Sequence, residues 1–164
     1  MSQQPSKTYR VARRVYFSAA HQLRNQALTH EENLNLFGIQ AATHGLGHNY
    51  ILEAYIEGAL NEQSAMIMPV AQLDALLKEV VTGLDHKFLN KDVPYFREKL
   101  PTTENVARYC HDFLSLLIQK YSAQKSTTEK SQSVDHPPVT LQKIRLYETE
   151  DLWVDCGPAL QPEF

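Results

Sequence analysis

Apolar and polar positions change period along the chain, and each change marks an element. Between Tyr9 and His21 the run is rich in β-formers, with Val11, Val15 and Phe17 on one parity, which predicts a first strand. From His48 the run HNYILEAYIEGAL alternates Tyr50, Leu52, Ala54 and Ile56 against Asn49, Ile51, Glu53 and Tyr55, predicting a second strand with one well-buried face. Pro69 suits a first helical position, and Val70, Leu73, Leu76, Leu77, Val80, Val81 and Leu84 follow at helical spacing, so a helix is expected over 69–83. PTTEN opens a second helix: Thr102 or Thr103 can accept an orphan backbone N–H, and Glu104 complements the positive end of the dipole. Val106, Tyr109, Cys110, Phe113, Leu116, Leu117 and Tyr121 supply its apolar face. TLQKIRLYET and DLWVDC predict two last strands, with Ile144, Leu146 and Glu148 sharing a face.

The remaining segments lack a sustained period. Residues 1–7 are polar, residues 22–40 read as a long loop with short helical turns, and residues 122–138 are polar, closed by two prolines and read as a surface loop. One domain over 1–164 follows, in the order ββααββ: an α+β fold with a four-stranded antiparallel sheet and two helices on one face. The second face of that sheet, expected to expose Tyr, Leu, Ile and Val, is economically covered by closing several sheets into an oligomeric barrel.

Charge and composition narrow the class of partner. The chain has 164 residues, 43% of them apolar, with 16 Lys and Arg against 19 Asp and Glu. That balance lacks the basic excess a phosphate backbone needs, so nucleic acid is not an expected partner. No stretch has the length of a membrane span, and the N-terminus lacks the apolar centre of a signal peptide, so no membrane association and a cytoplasmic location are expected. Two cysteines, Cys110 and Cys156, make no disulfide framework and are expected to be reduced.

Seven histidines supply the first candidate chemistry. His21 ends the first strand, while His44 and His48 bracket the Gly45-Leu46-Gly47 entry to the second. Imidazoles suit Zn2+, and three of them with an open fourth position form a catalytic rather than a structural centre. The alternative is that each is a hydrogen-bonded core or surface residue. Asp85 and His86 stand together in LDHK, where a carboxylate can orient an imidazole for proton transfer. Glu148, on an apolar strand face, requires a partner: an internal Arg or Lys, or a ligand offering two parallel N–H donors.

YFSAAHQL, EENLNLFG, GHNY, LDHKFLN, DVPYF, PTTENVA and LYETED occur in this order over most of the chain. Together they resemble the family of 6-pyruvoyl-tetrahydropterin synthases and 6-carboxy-tetrahydropterin synthases, with EENLNLFG and DVPYF closer to the pyruvoyl branch. The resemblance implies a tunnelling fold, trimers whose sheets close a barrel, and two trimers stacked as a homohexamer. It implies a pterin substrate such as 7,8-dihydroneopterin triphosphate, Zn2+ as cofactor, and lyase chemistry in which triphosphate leaves. His21 and His48 match metal-ligand positions, Asp85 and His86 the catalytic pair, Glu148 the pterin-anchoring carboxylate, and Thr102, Thr103 and Glu104 the other substrate-binding motif.

Two positions depart from the family pattern. Leu46 stands where the middle metal ligand belongs, and Gln40 where the family has its catalytic cysteine; an amide cannot act as the thiolate base. His44 is a candidate substitute ligand. Residues four apart in a strand are separated by about 13 Å, and a histidine reaches a metal from about 6 Å, so a bend at Gly45 or Gly47 would have to bring His44 and His48 together. Glu31 or Glu32 could supply a base, or simply be solvated. Cys110 on an apolar stripe and Cys156 at the last strand do not replace the missing thiol. Slow or absent triphosphate release is therefore expected, with three alternatives: a catalytically silent pterin- or purine-binding oligomer, an aldolase- or epimerase-like pterin enzyme using Asp85–His86, or a metal-independent scaffold.

Overall fold

The computed structural model describes residues 7–128 and 138–158. Its strands are β1 (Tyr9–His21), β2 (Leu46–Gly58), β3 (Lys87–Phe88), β4 (Thr140–Tyr147) and β5 (Trp153–Cys156), and its helices α1 (His30–Phe37), α2 (Val70–Thr82), α3 (Leu89–Asp92) and α4 (Thr103–Thr128). The sheet order is β3-β1-β2-β4-β5. The expected α+β architecture stands, but the sheet has five strands and is mixed, because β3 runs parallel to β1. His86, at a φ of 57°, turns the chain after α2, and its backbone N–H donates to Ser18 O, which lays Lys87 and Phe88 beside Ala19 and Ala20.

β1 and β2 pair antiparallel over their whole length, from Tyr9 opposite Gly58 to His21 opposite Leu46. Strand alternation then puts Phe17, Ala19 and His21 on the same face as His48, Tyr50, Leu52, Ala54 and Ile56. Ile144 and Leu146 of β4 join that face, and all the apolar members are buried. α2 covers it with Leu73, Leu77, Val80 and Val81, and α4 with Val106, Ala107, Cys110, Leu114 and Ile118. The buried stripe of α4 is rotated from the expected one: Leu116 is exposed, while Leu114 and Ile118 take the core. Tyr109, Phe113 and Tyr121 pack at its margin.

Three segments differ further from the sequence reading. β2 begins at Leu46, two residues before His48, because β1 extends far enough to pair with it. α4 continues through 122–128, the first part of the segment expected to be a loop; extending a nucleated helix costs little where neither Gly nor Pro intervenes. Residues 1–6 and 129–137, also assigned to polar termini or loop, lie outside the described residues. Finally, the outer face of the sheet carries Tyr16, Ile51, Tyr55, Tyr147 and Trp153, as an aromatic and apolar face would, but interleaves them with charge pairs. Arg10 pairs with Glu57, Arg14 with Glu53, and Arg145 with Asp155 across adjacent strands, while Lys143 adds a second contact to Asp155. Directly opposed charges of opposite sign stabilise a strand pair.

Candidate functional site

Three donor side chains converge at the open end of the core. His21 closes β1, His48 lies on the same face of β2, and Glu148 follows β4 immediately, its N–H donating to Leu152 O in the turn to β5. One ligand-type atom from each lies within 4.8 Å of the others. His21 and Glu148 are buried, and the His21 and His48 rings sit 5.1 Å apart between centroids.

Glu148 is a buried carboxylate whose partners are neither Arg nor Lys. Thr103 Oγ1, in the first turn of α4, donates to Oε2, and Gln40 Nε2 donates to Oε1 at 2.9 Å. His48 Nε2 stands 3.5 Å from Oε1 and is buried without a hydrogen bond. Burying an anion among neutral donors is expensive, so the group is held at a cost that core packing alone does not explain.

His21 is fixed from both sides. Gln40 Oε1 lies 2.6 Å from Nε2, and Tyr50 OH lies 3.2 Å from Nδ1. Burial lowers the pKa of His21, partly opposed by its contacts to Gln40 and Glu148, which favours the neutral imidazole. Tyr50 stacks on Phe17 at 4.9 Å, and burial and the nearby Glu148 carboxylate raise its phenol pKa, so it remains protonated. The alternation of β2 predicts Tyr50 as a core residue, and its place two positions after His48, on the same face, is the signal that it reaches this site.

The donor set suits a divalent ion of borderline softness: two imidazoles and a carboxylate. The unpartnered His48 Nε2, aimed at the cluster, is the observation that fits such an ion. Leu46 lies directly opposite His21 on that face and offers no donor. His44 is not gathered in. Gly45 N–H donates to Ala42 O at 2.9 Å, closing a turn that carries Thr43 and His44 on its exposed tip. The bend occurs at Gly45, with φ of 71°, where a Cβ would approach His21 O and the Phe88 ring to 2.7 Å; it turns His44 outward.

The family model of 6-pyruvoyl tetrahydropterin synthase matches residues 10–159. The chain belongs to that family. It is 37% identical over 142 residues to the 6-pyruvoyl tetrahydrobiopterin synthase of Homo sapiens, covering 86% of each chain. It is 41% identical over 129 residues to that of Dictyostelium discoideum, covering 77% of this chain and 94% of the relative. The solved structure of Caenorhabditis elegans 6-pyruvoyl tetrahydropterin synthase superposes with a TM-score of 0.75 at 27% identity, covering 96% of this chain and 100% of that one. In this member of the family Gln40 lies in the pocket, in contact with both His21 and Glu148.

The other candidate residues are dispersed. Thr102 Oγ1 accepts from Asn105 N–H, a cap at the start of α4, and Glu104 is exposed in its first turn. Asp85 Oδ1 accepts from Ser18 N–H at 2.9 Å, and His86 Nε2 stands 3.6 Å from Asp85 Oδ2 with its side chain 84% exposed. His86 lines a cavity of about 360 Å3 with Ser18, Ala19, Ala20, Gly47, His48 and Asn49. The His86 side chain is turned to solvent and is not among the three donors that cluster, although His48 lines the same cavity. Glu32 is occupied in a capping box with Thr29, whose backbone and hydroxyl donors lower its pKa, and Glu31 is exposed beside it. Cys110 is fully buried, with a thiol pKa raised by desolvation.

A second, larger cavity of about 930 Å3 opens beside Gln22 and Leu100, next to the donor cluster in sequence. Arg24, Arg97 and Lys99 contribute three cations to it against the single Glu98. No helix among the described residues is long and apolar enough to cross a membrane.

Proposed function

We propose that the chain binds 7,8-dihydroneopterin triphosphate or a close relative in this pocket and releases triphosphate slowly or not at all. The observation that carries the reading is Glu148: a buried carboxylate, unpaired with Arg or Lys, whose two oxygens can accept parallel N–H donors from the edge of a pterin ring. Thr103 orients that carboxylate by holding Oε2. The cavity bearing Arg24, Arg97 and Lys99 suits a phosphorylated tail.

His21 and His48 would hold a divalent cation, Zn2+ by family resemblance. When bound, such an ion polarises a substrate hydroxyl and makes the adjacent C–H more acidic. The proton removed in that step needs an acceptor close to the substrate. Gln40, whose Nε2 and Oε1 contact Glu148 and His21, has no basic lone pair for the task. Asp85–His86 remains as a proton shuttle. Its exposure supports service in the pocket of a neighbouring copy, as the trimer and hexamer arrangement implied by family resemblance would permit.

A second reading, a pterin-binding oligomer without turnover, is favoured by the same Gln40 contacts, because they fill the base position with a neutral group. One assay separates the readings. The native chain is incubated with 7,8-dihydroneopterin triphosphate, triphosphate release is followed, and the experiment is repeated with Gln40→Cys combined with Leu46→His. The double variant is expected to gain about 100-fold or more in release, the scale of a restored general base. Full-rate release by the native chain would defeat the argument from Gln40, and failure of the native chain to bind pterin would defeat the pterin site.

A further inference from the structure

The Gln40 carboxamide is used at both ends. Its Nε2 donates to Glu148 Oε1, and a carboxylate only accepts, so the amide cannot flip without losing that bond. Its Oε1 is thereby turned to His21 Nε2, at 2.6 Å, and must receive a hydrogen there. His21 Nε2 therefore carries a hydrogen, while Nδ1 lies 3.2 Å from Tyr50 OH. A nitrogen carrying a proton has no lone pair for a metal. His48 Nε2, by contrast, is buried and without a hydrogen bond. The backbone gives the amide little freedom to retreat, since Gln40 O accepts from Leu23 N–H at 2.8 Å and Gln22 Nε2 donates to Ala41 O and Ala42 O.

We propose that Gln40 is an amide latch that keeps His21 closed to a divalent cation until a pterin takes Glu148 Oε1 away from it. The second half rests on the reading of Glu148 as the pterin anchor. Once the ring's N–H donors occupy the carboxylate, the Gln40 amide loses the bond that orients it, turns, and frees His21 to bind metal through Nε2. Metal and pterin then bind with positive coupling, which by linkage works equally in both directions.

The test uses the full chain, with Zn2+ alone as first probe and 7,8-dihydroneopterin, which has no leaving group, as second. Zinc affinity is measured by competition with a chromophoric chelator for the native chain, Gln40→Ala and Gln40→Met, each checked for native thermal unfolding. Met keeps the length of the side chain without its amide. Both variants are expected to bind Zn2+ about tenfold to 100-fold more tightly than the native chain, the scale of the hydrogen bonds released. Nitrogen-resolved NMR of the metal-free native chain is expected to place the His21 proton on Nε2. Saturating pterin is expected to tighten zinc binding by the native chain and to leave both variants unchanged. Equal or weaker zinc binding by the variants overturns the latch, and weaker binding would make Gln40 a ligand. Pterin that binds without altering native zinc affinity overturns the coupling. Tighter zinc binding by the variants with no pterin binding by any form leaves the latch standing and removes the reading of Glu148 instead.

Discussion

Gln40 and Glu148 lie 108 residues apart in the chain, yet the amide of one donates to the carboxylate of the other at 2.9 Å. The contact joins the loop after α1 to the end of β4, and through His21 it reaches the end of β1 as well. A polar bridge across three elements ties the electrostatics of the pocket to the identity of residue 40.

Glu148→Gln keeps the shape of the side chain and removes its charge. Pterin affinity, read by fluorescence titration, is expected to fall about tenfold to 100-fold, the value of a charge-assisted bidentate contact. The variant should remain folded, since Thr103 and Gln40 can re-pair with an amide. Unchanged affinity would assign the carboxylate to structure.

Leu46→His restores an imidazole directly opposite His21 and on the face of His48. Zinc affinity is expected to rise about tenfold or more as a third nitrogen joins the donor set. His44→Ala, at the exposed turn tip, is expected to change it by less than about twofold, because that side chain makes no part of the cluster.

Arg97→Ala combined with Lys99→Ala should weaken binding of a phosphorylated pterin while sparing the dephosphorylated one. The expected loss is about tenfold at low salt and smaller at high salt, because these side chains are solvent-exposed. Comparable losses for both ligands would place the phosphorylated tail elsewhere.

Asp155 receives Arg145 Nε at 2.6 Å and a second guanidinium nitrogen at 2.8 Å, with Lys143 Nζ at 3.2 Å. The hydrogen bonds from Arg145 lead in lowering its pKa below the ordinary 3.8. The unfolded chain therefore binds the proton more readily, and the stability this carboxylate contributes is present above about pH 4 and is lost as pH falls through the folded value. Asp155→Asn is expected to cost about 1–2 kcal/mol at pH 7 by denaturant unfolding, a gap that closes below pH 4. A pH-independent gap would mean that packing, not charge, holds the pair.

Neither thiol is expected to act as a base. Burial raises the pKa of Cys110 and, to a lesser extent, that of Cys156, so alkylation by iodoacetamide at pH 7.5 should be slow for both in the native chain. Cys110 is expected to react only as the chain unfolds. Rapid native labelling of Cys110 would contradict its burial.

Much of the fold was legible because its elements are periodic. The alternation of Tyr50, Leu52, Ala54 and Ile56 fixed the buried face of β2, and the spacing from Leu73 to Val81 fixed that of α2. α1 was not recognised as a helix, although Thr29 followed by Glu32 is a capping-box pattern. Its Asn33 is buried and donates to Asn25, Leu28 and Thr29 carbonyls, a role that only a folded loop reveals. β3, two residues long, has no period to detect, and the charge pairs of the outer face depend on strand register.

The sequence by itself determined the long periodic elements β1, β2, β4, α2 and most of α4, together with the residue types at positions 21, 40, 46, 48 and 148, because these are properties of single positions and local spacing. Tertiary structure alone decided which donors meet. His48 and Glu148 are brought together with His21 by antiparallel pairing across β1, β2 and β4, while the turn at Gly45 sends His44 to solvent and the turn after α2 leaves the His86 side chain exposed. Hydrogen bonds between residues as distant as Gln40 and Glu148 follow from that pairing, which no local pattern encodes.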